Sequence, residues 1–279
     1  MATPIIAIIP SAYKEGVLAA VLPNNGIADL DFTRGSTATR INAQGLIEEV
    51  GVNIPRLDYS DGNCPSLLLE PQSTNLVMYS EDFSNSSWVA FDVTKVPDSI
   101  IDPGGTLTGC RVTGLAGSNK VLQQITSVTA DPNNQRTYTG SIWVKSPNVT
   151  TTQLRVGGTT GTSNKVITIS QEWKRFDHQY ILQPNSTFIR LGIICNNEGD
   201  IIDVAFGQTE QQSYATYYIP NSGTTEGITR LEDSASLDLT PFNITSIIET
   251  IDGVEQPPIT TIPTIYNAPI GRVNKILMY

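Results

Sequence analysis

Between Asp31 and Glu70 the chain is never left uninterrupted for long: Gly35, Gly45, Gly51, Pro55, Asp61-Gly62 and Pro65 punctuate it. Glycine supplies positive φ at no steric cost and proline fixes φ while removing a donor, so each of these positions ends a strand or sets a turn. What remains are short extended pieces at 38–42, 46–50 and 66–70. None is long enough to bury a core by itself, so the first seventy residues read as a connector that must lean on chain from elsewhere.

The rest of the sequence is β in character. Only 16% of the residues are charged, and Thr, Ser, Asn, Ile and Val are frequent, a neutral-polar composition that suits pleated, half-buried surfaces. Helical candidates are confined to 15–20 and a turn near 240–242. Strand signals recur at 121–128, 137–144, 152–156, 165–169, 175–182, 187–194 and 201–206, with turn residues between them, the spacing of a sandwich or jelly roll. Alternation places Ile189, Leu191 and Ile193 on one face, and Ile202, Val204 and Phe206 on another, as core positions. After 239, a hairpin around Asp252-Gly253, a crossing at Pro257-Pro258 and Pro263, and a last strand over 272–278 are expected.

The expected architecture is therefore all-β: an antiparallel β-sandwich over 71–238, an extended, loop-rich N-terminal connector over 1–70, and a small C-terminal β subdomain over 239–279 that packs with the connector, since neither is large enough alone.

The residues of the connector also carry a resemblance. Phe32, Thr33, Arg34, Ser36, Thr37, Thr39, Arg40, Asn42, Gly45 to Glu48, then Asn53, Pro55, Arg56, Asp58 and Tyr59, then Leu68 to Pro71, Ser73, Asn75 and Leu76 follow a pattern similar to that of structural proteins of tailed bacteriophages. Tyr79 to Phe83, Gln208 to Glu210, Ala215 to Pro220 and Asn267 to Tyr279 resemble the same proteins. The chain departs from their pattern at Gln208-Thr-Glu210, where an apolar residue is usual between Gln and Glu, and at Gly227-Ile-Thr-Arg230, which carries extra residues. The resemblance implies a jelly roll of carbohydrate-binding-module type and a place on the virion exterior as a head fibre, decoration protein or tail fibre. It also implies assembly in the host bacterial cytoplasm, with other virion proteins of capsid or tail as partners.

Charge narrows the partners independently. The net charge is −10 and the basic residues are scattered, which argues against nucleic acid, whose phosphates need clustered Lys and Arg. No apolar run reaches the roughly 20 residues that span a bilayer, and the segment around Ile5 to Pro10 lacks the flanks of a signal peptide, so membrane insertion is not expected. Cys64, Cys110 and Cys195 are odd in number and widely spaced, framing neither a disulfide scaffold nor a zinc site. They are expected to be reduced and mostly buried.

Catalytic patterns are thin. His178 is the single histidine and falls mid-strand rather than on a presenting turn, where a partly exposed strand histidine is the ordinary reading. Nucleophile-elbow, zincin and phosphate-loop motifs are not found. No pair among the 27 acidic residues is singled out for glycosidic chemistry. Asp200, Asp203 and Glu210 carry oxygens that suit calcium, though Asp200 lies in a turn where solvated acids are common. No catalytic residue, metal or cofactor is assigned.

Two sets of residues remain as binding candidates. Arg34, Arg40 and Arg56 recur beside acidic residues; they either pair with a capsid, tail or sister subunit or hold an irregular backbone through intramolecular pairs. Trp143 alternates away from Ile142 and Val144, beside Ser141 and Lys145, and either stacks on a sugar ring or packs; Trp88 and Trp173 follow turns, where a ring plugs the end of a sandwich. The expected function is a non-enzymatic virion component, a head fibre or decoration protein that forms a homo-oligomer, dimer or trimer. The alternative is a tail fibre or receptor-binding protein whose jelly roll engages host surface glycan. A polysaccharide depolymerase is disfavoured because no solenoid-period repeat is visible.

Overall fold

The structure is a computed structural model and describes residues 3–279. It contains strands and turns but no α-helix among the described residues. The expected helical turn at 15–20 is instead part of a tight hairpin, Tyr13–Lys14 against Val17–Leu18, whose turn needs the positive φ of Gly16 (74°). A glycine there satisfies a reversal and ends a helix. The chain divides into two compact units, one built from the segment ending at Gln72 together with Arg230–Tyr279, the other from Ser73–Thr229.

The Ser73–Thr229 unit is an antiparallel jelly-roll sandwich. Its first sheet runs, in spatial order, Trp88–Phe91, Val121–Ser127, Phe188–Ile194, Thr151–Gly158 and Gly161–Thr168. The second runs Val93–Ile100, Gly109–Gly114, Ile201–Glu210, Arg136–Lys145 and Lys174–Leu182. Successive strands keep switching sheets, which is why sequence neighbours are so often not sheet neighbours. The inward residues of every strand meet in one core, including Trp88, Val112, Leu122, Ile142, Leu154 and Leu191, and period-two alternation sends the others outward.

One expected core residue is buried but lies off the shared inner face. Phe206 does not join Ile202 and Val204, because the register between Ile201–Glu210 and Arg136–Lys145 slips between Ser141 and Trp143. Trp143 faces Ala205 while Ser141 faces Gln208, so Ile201–Glu210 carries an extra residue there and Phe206 takes a φ of 55°. This bulge inverts the alternation beyond it. Phe206 stacks on Tyr218, ring centroids 4.6 Å apart, and Gly207 turns inward, where a Cβ would lie 3.0 Å from the Trp88 ring.

The other unit holds a six-stranded sheet around its longest strand, Gly271–Met278, which pairs with Ile247–Ile251, Ser66–Leu69 and Ile6–Ile8. A five-stranded sheet adds Leu30–Thr33 and Ser234–Asp238 at its centre. Ile6, Ile8, Leu30, Phe32, Leu67, Ala235, Leu237, Val273 and Ile276 form the shared core. The segment 230–238, grouped with the sandwich on sequence spacing, belongs here because Ala235 and Leu237 alternate into this core.

Candidate binding site

In the first unit, the recurring arginines turn inward. Arg34 and Arg56 are 1% and 0% exposed, and with Arg230 they surround two carboxylates, Asp233 and Glu70. Arg34 donates to the Gly51, Ile54 and Ser36 carbonyls at 2.6, 3.1 and 2.8 Å and to Asp233 at 3.1 Å. Arg56 donates to Glu70 at 2.8 Å, to the Thr39 carbonyl at 3.2 Å, and to Asp233. Arg230 donates to the Pro71 carbonyl at 2.7 Å. The planar guanidinium fork lets one side chain satisfy several loop carbonyls at once, so it can stand in for regular sheet pairing.

The two roles left open by the sequence thus separate. Arg34 and Arg56 hold the loops of their own unit, through Asp233 and Glu70. Arg40 is closer to the surface, pairing with Glu48 at 2.7 Å and donating to the Tyr13 hydroxyl at 3.1 Å.

In the sandwich, the outer face of the second sheet carries Ser141, Trp143, Lys145, Arg175 and Gln208. Much of it is tied to the segment after Glu210. Gln208 donates to the Thr216 and Tyr217 carbonyls and accepts from the Ile219 amide at 2.7 Å. Glu210 accepts from the Ser73 hydroxyl at 2.6 Å and the Thr216 amide at 3.0 Å, and burial raises its pKa. Arg175 bridges the Thr216 carbonyl and the Ser141 hydroxyl. These bonds give the Gln208-Thr-Glu210 and Ala215-to-Pro220 motifs a physical meaning, since one pins the other.

Trp143 is half-buried on that face, and its indole nitrogen is buried with no hydrogen-bond partner. Trp173 is also half-buried, donating to the Ile101 carbonyl at 2.9 Å under the Lys145 ammonium. Trp88 is a core ring bonded to the Tyr79 carbonyl at 2.9 Å.

The outer face of the first sheet is partly open, although Val121 and Gln123 on it are buried. Phe91, Val89 and Ile125 are 42%, 41% and 42% exposed, and beside them stand Gln123, Gln153, Arg155, Arg190 and Asn164. The sequence alone does not mark this surface. Alternation in Thr151–Gly158 and Phe188–Ile194 marks Arg155 and Arg190 as outward, but their adjacency comes from strands far apart in sequence.

Other candidate chemistry does not assemble. Asp203 makes a two-pronged pair with Arg111 at 2.8 and 3.0 Å, and Asp200 accepts from the Asn197 amide. With Glu210 they form no metal-holding group, and none of three or more such ligands occurs among the described residues. His178 meets the Ser163 hydroxyl at 2.8 Å. Burial and the Lys165 charge lower its pKa, and among the described residues no carboxylate orients the ring. Cys110 and Cys195 are buried, with thiols pushed up to about 12 by burial, and Cys64 is exposed.

No family model matches the chain, and no curated protein does. Among solved structures, it is similar to the C-terminal family 22 carbohydrate-binding module of Clostridium thermocellum Xyn10B, at 12% identity over 51% of this chain and 96% of that one, TM-score 0.39. It is similar to TmCBM61, solved with beta-1,4-galactotriose, at 16% identity over 50% and 99%, TM-score 0.35. A third is the enzymatically active domain of tailspike protein 4 from bacteriophage CBA120, at 16% identity over 49% of this chain, TM-score 0.37; only 21% of that chain is spanned. The sandwich described above rests on the strands of this chain.

Proposed function

We propose that this protein is a non-enzymatic component of a bacteriophage virion, a head fibre or capsid decoration protein on the virion exterior. The unit that gathers both ends of the sequence docks to capsid or tail proteins and to sister copies, and the jelly-roll sandwich is the displayed part. The observation that carries this reading is where the phage-like motif residues fall. Arg34, Arg56, Asp58, Glu70 and Asn75 are all buried, and each organises loops of this fold. The resemblance is therefore one of architecture, because the matched residues are those on which the irregular backbone depends.

The test is immunogold labelling of intact virions with an antibody against residues 73–229. Label over the capsid supports a head fibre or decoration protein; label confined to the tail tip overturns that placement. The second reading, a receptor-binding protein for host surface glycan, is favoured by the outer face of the first sheet, where the exposed Phe91 ring shares a face with amide side chains.

A further inference from the structure

At one end of that face lies a cavity of about 250 Å³, between the 118–120 and 194–196 turns and the outward side chains of Gln153, Arg155 and Asn164. Its polar lining is unlike the rest of this acidic chain. Lys120 and Arg155 supply two cations, Asn119, Gln153, Asn164 and Asn196 supply amides, and no carboxylate lines it among the described residues. Arg155 donates through Nε to Asn164 at 3.2 Å, and Lys120 donates to the Gly117 carbonyl at 2.6 Å. Neither is ion-paired among the described residues, although the protein carries ten more negative than positive charges.

A third cation adjoins the cavity. Arg155 pairs in register with Gly192 and Arg190 with Gly157, which makes the two arginines diagonal neighbours on one face, about 7–8 Å apart at that spacing. Arg190 lies over the Phe188 ring at 5.0 Å, and its Nε is buried without a partner. The intervening Gly192 cannot carry a side chain, since a Cβ would lie 2.8 Å from that of Gln123, so the Gln123 side chain packs close over the backbone there. Gln123 is 6% exposed and its Oε1 is buried and unpartnered. Like charges placed side by side oppose folding unless something neutralises them. Gln153 donates to Asn196 at 2.8 Å and Asn196 to the Thr151 carbonyl at 3.2 Å, which holds the amides in place beside the cations; a surface that keeps such a set is complementary to a ligand bearing both an anion and hydroxyls.

We infer that this cavity binds the acidic residue of a carboxylate-bearing oligosaccharide, with Arg155 and Lys120 on the carboxylate and the amides on ring hydroxyls. Arg190 lies toward a neighbouring sugar. Phe91 stands in the same cross-strand row as Ile194, two strands over, where an exposed ring can stack on a further residue of the oligosaccharide. The inference rests on the glycan-binding reading of the sandwich and names its ligand class. The overall acidity of the chain restricts the site to a local anion rather than a polyanionic surface such as nucleic acid.

The test uses the full chain and titration calorimetry. The probes are oligosaccharides of galacturonate, glucuronate, mannuronate and sialate, each with its carboxyl-reduced counterpart, and inorganic phosphate as competitor. At least one carboxylated oligomer should bind roughly tenfold or more tighter than its reduced form, weaken with salt, and lose that advantage in Arg155→Gln with Lys120→Gln while thermal stability is kept. Tighter binding of the reduced forms, or an unchanged advantage in the double variant, overturns the inference but leaves glycan binding standing. No binding by either set overturns both. Displacement by millimolar phosphate at equal affinity would assign the site to a phosphate-bearing ligand and overturn the carboxylate assignment.

Discussion

Asp233 has no solvent access and receives Arg34, Arg56 and Arg230 together, so it is where a single side chain has the most to lose. Replacing it with Ala leaves Arg56 and Arg230 sharing Glu70 and Arg34 with carbonyl partners alone, a change expected to cost about 3–5 kcal/mol; denaturant unfolding measures it, and a loss under 1 kcal/mol would remove Asp233 as the organising charge. Lys95 is a comparable centre in the sandwich. Its ammonium donates to the Phe83, Asn85 and Trp88 carbonyls at 2.7, 3.0 and 2.9 Å, tying down the loop that leads into the first sheet. Lys95→Met should destabilise by about 2–3 kcal/mol, with faster amide exchange confined to 83–88. His178 makes a pH prediction. Its folded pKa is lowered below the ordinary 6.5, so the folded state resists protonation; its contribution is fully present above pH 6.5 and is lost as pH falls below it. His178→Gln should abolish that component of the pH–stability curve, and a curve identical to the parent's would contradict the assignment.

At the scale of elements, the hairpin Ile247–Ile251 to Val254–Glu255 shows how a turn was legible. Asp252 and Gly253 both have positive φ, 50° and 76°, the backbone that matches the twist of two antiparallel strands. Gly253→Ala, with open space around the site but the wrong φ, should cost roughly 1 kcal/mol through backbone strain alone; an unchanged melting temperature would show that the turn relaxes. The sandwich strands with clear alternation, such as Val121–Ser127 and Phe188–Ile194, were readable for the same reason. Trp88–Phe91, Val93–Ile100 and Gly109–Gly114 were not, because Pro97 and dense turn residues mask their period. The bulge at Phe206 was invisible as well: an extra residue announces itself only against a partner strand, and the partner lies some sixty residues away in sequence.

At the scale of the molecule, each unit has its own apolar cluster, and this predicts separable stability. Residues 73–229 expressed alone should unfold in one cooperative transition, followed by circular dichroism; a broad, non-cooperative melt would show that the sandwich depends on the remaining chain. The two binding candidates also separate at this scale. Arg34 and Arg56 were marked by recurrence in the sequence, yet recurrence does not distinguish an arginine that greets a partner from one that satisfies buried carbonyls; burial does. Arg155, Arg190 and Lys120 went unmarked because each sits alone in its own segment.

The all-β class, the sandwich strands with regular alternation and the need for the two ends of the chain to share a core follow from the sequence, because side-chain period, turn chemistry and segment length are local quantities. The bulge, the inward turn of the arginines onto Asp233 and Glu70, and the gathering of unpaired cations around a cavity were decided by tertiary structure, because each depends on which distant strand lies alongside. Register is set by the packing of the whole sandwich, and it is register that places Arg155 beside Arg190.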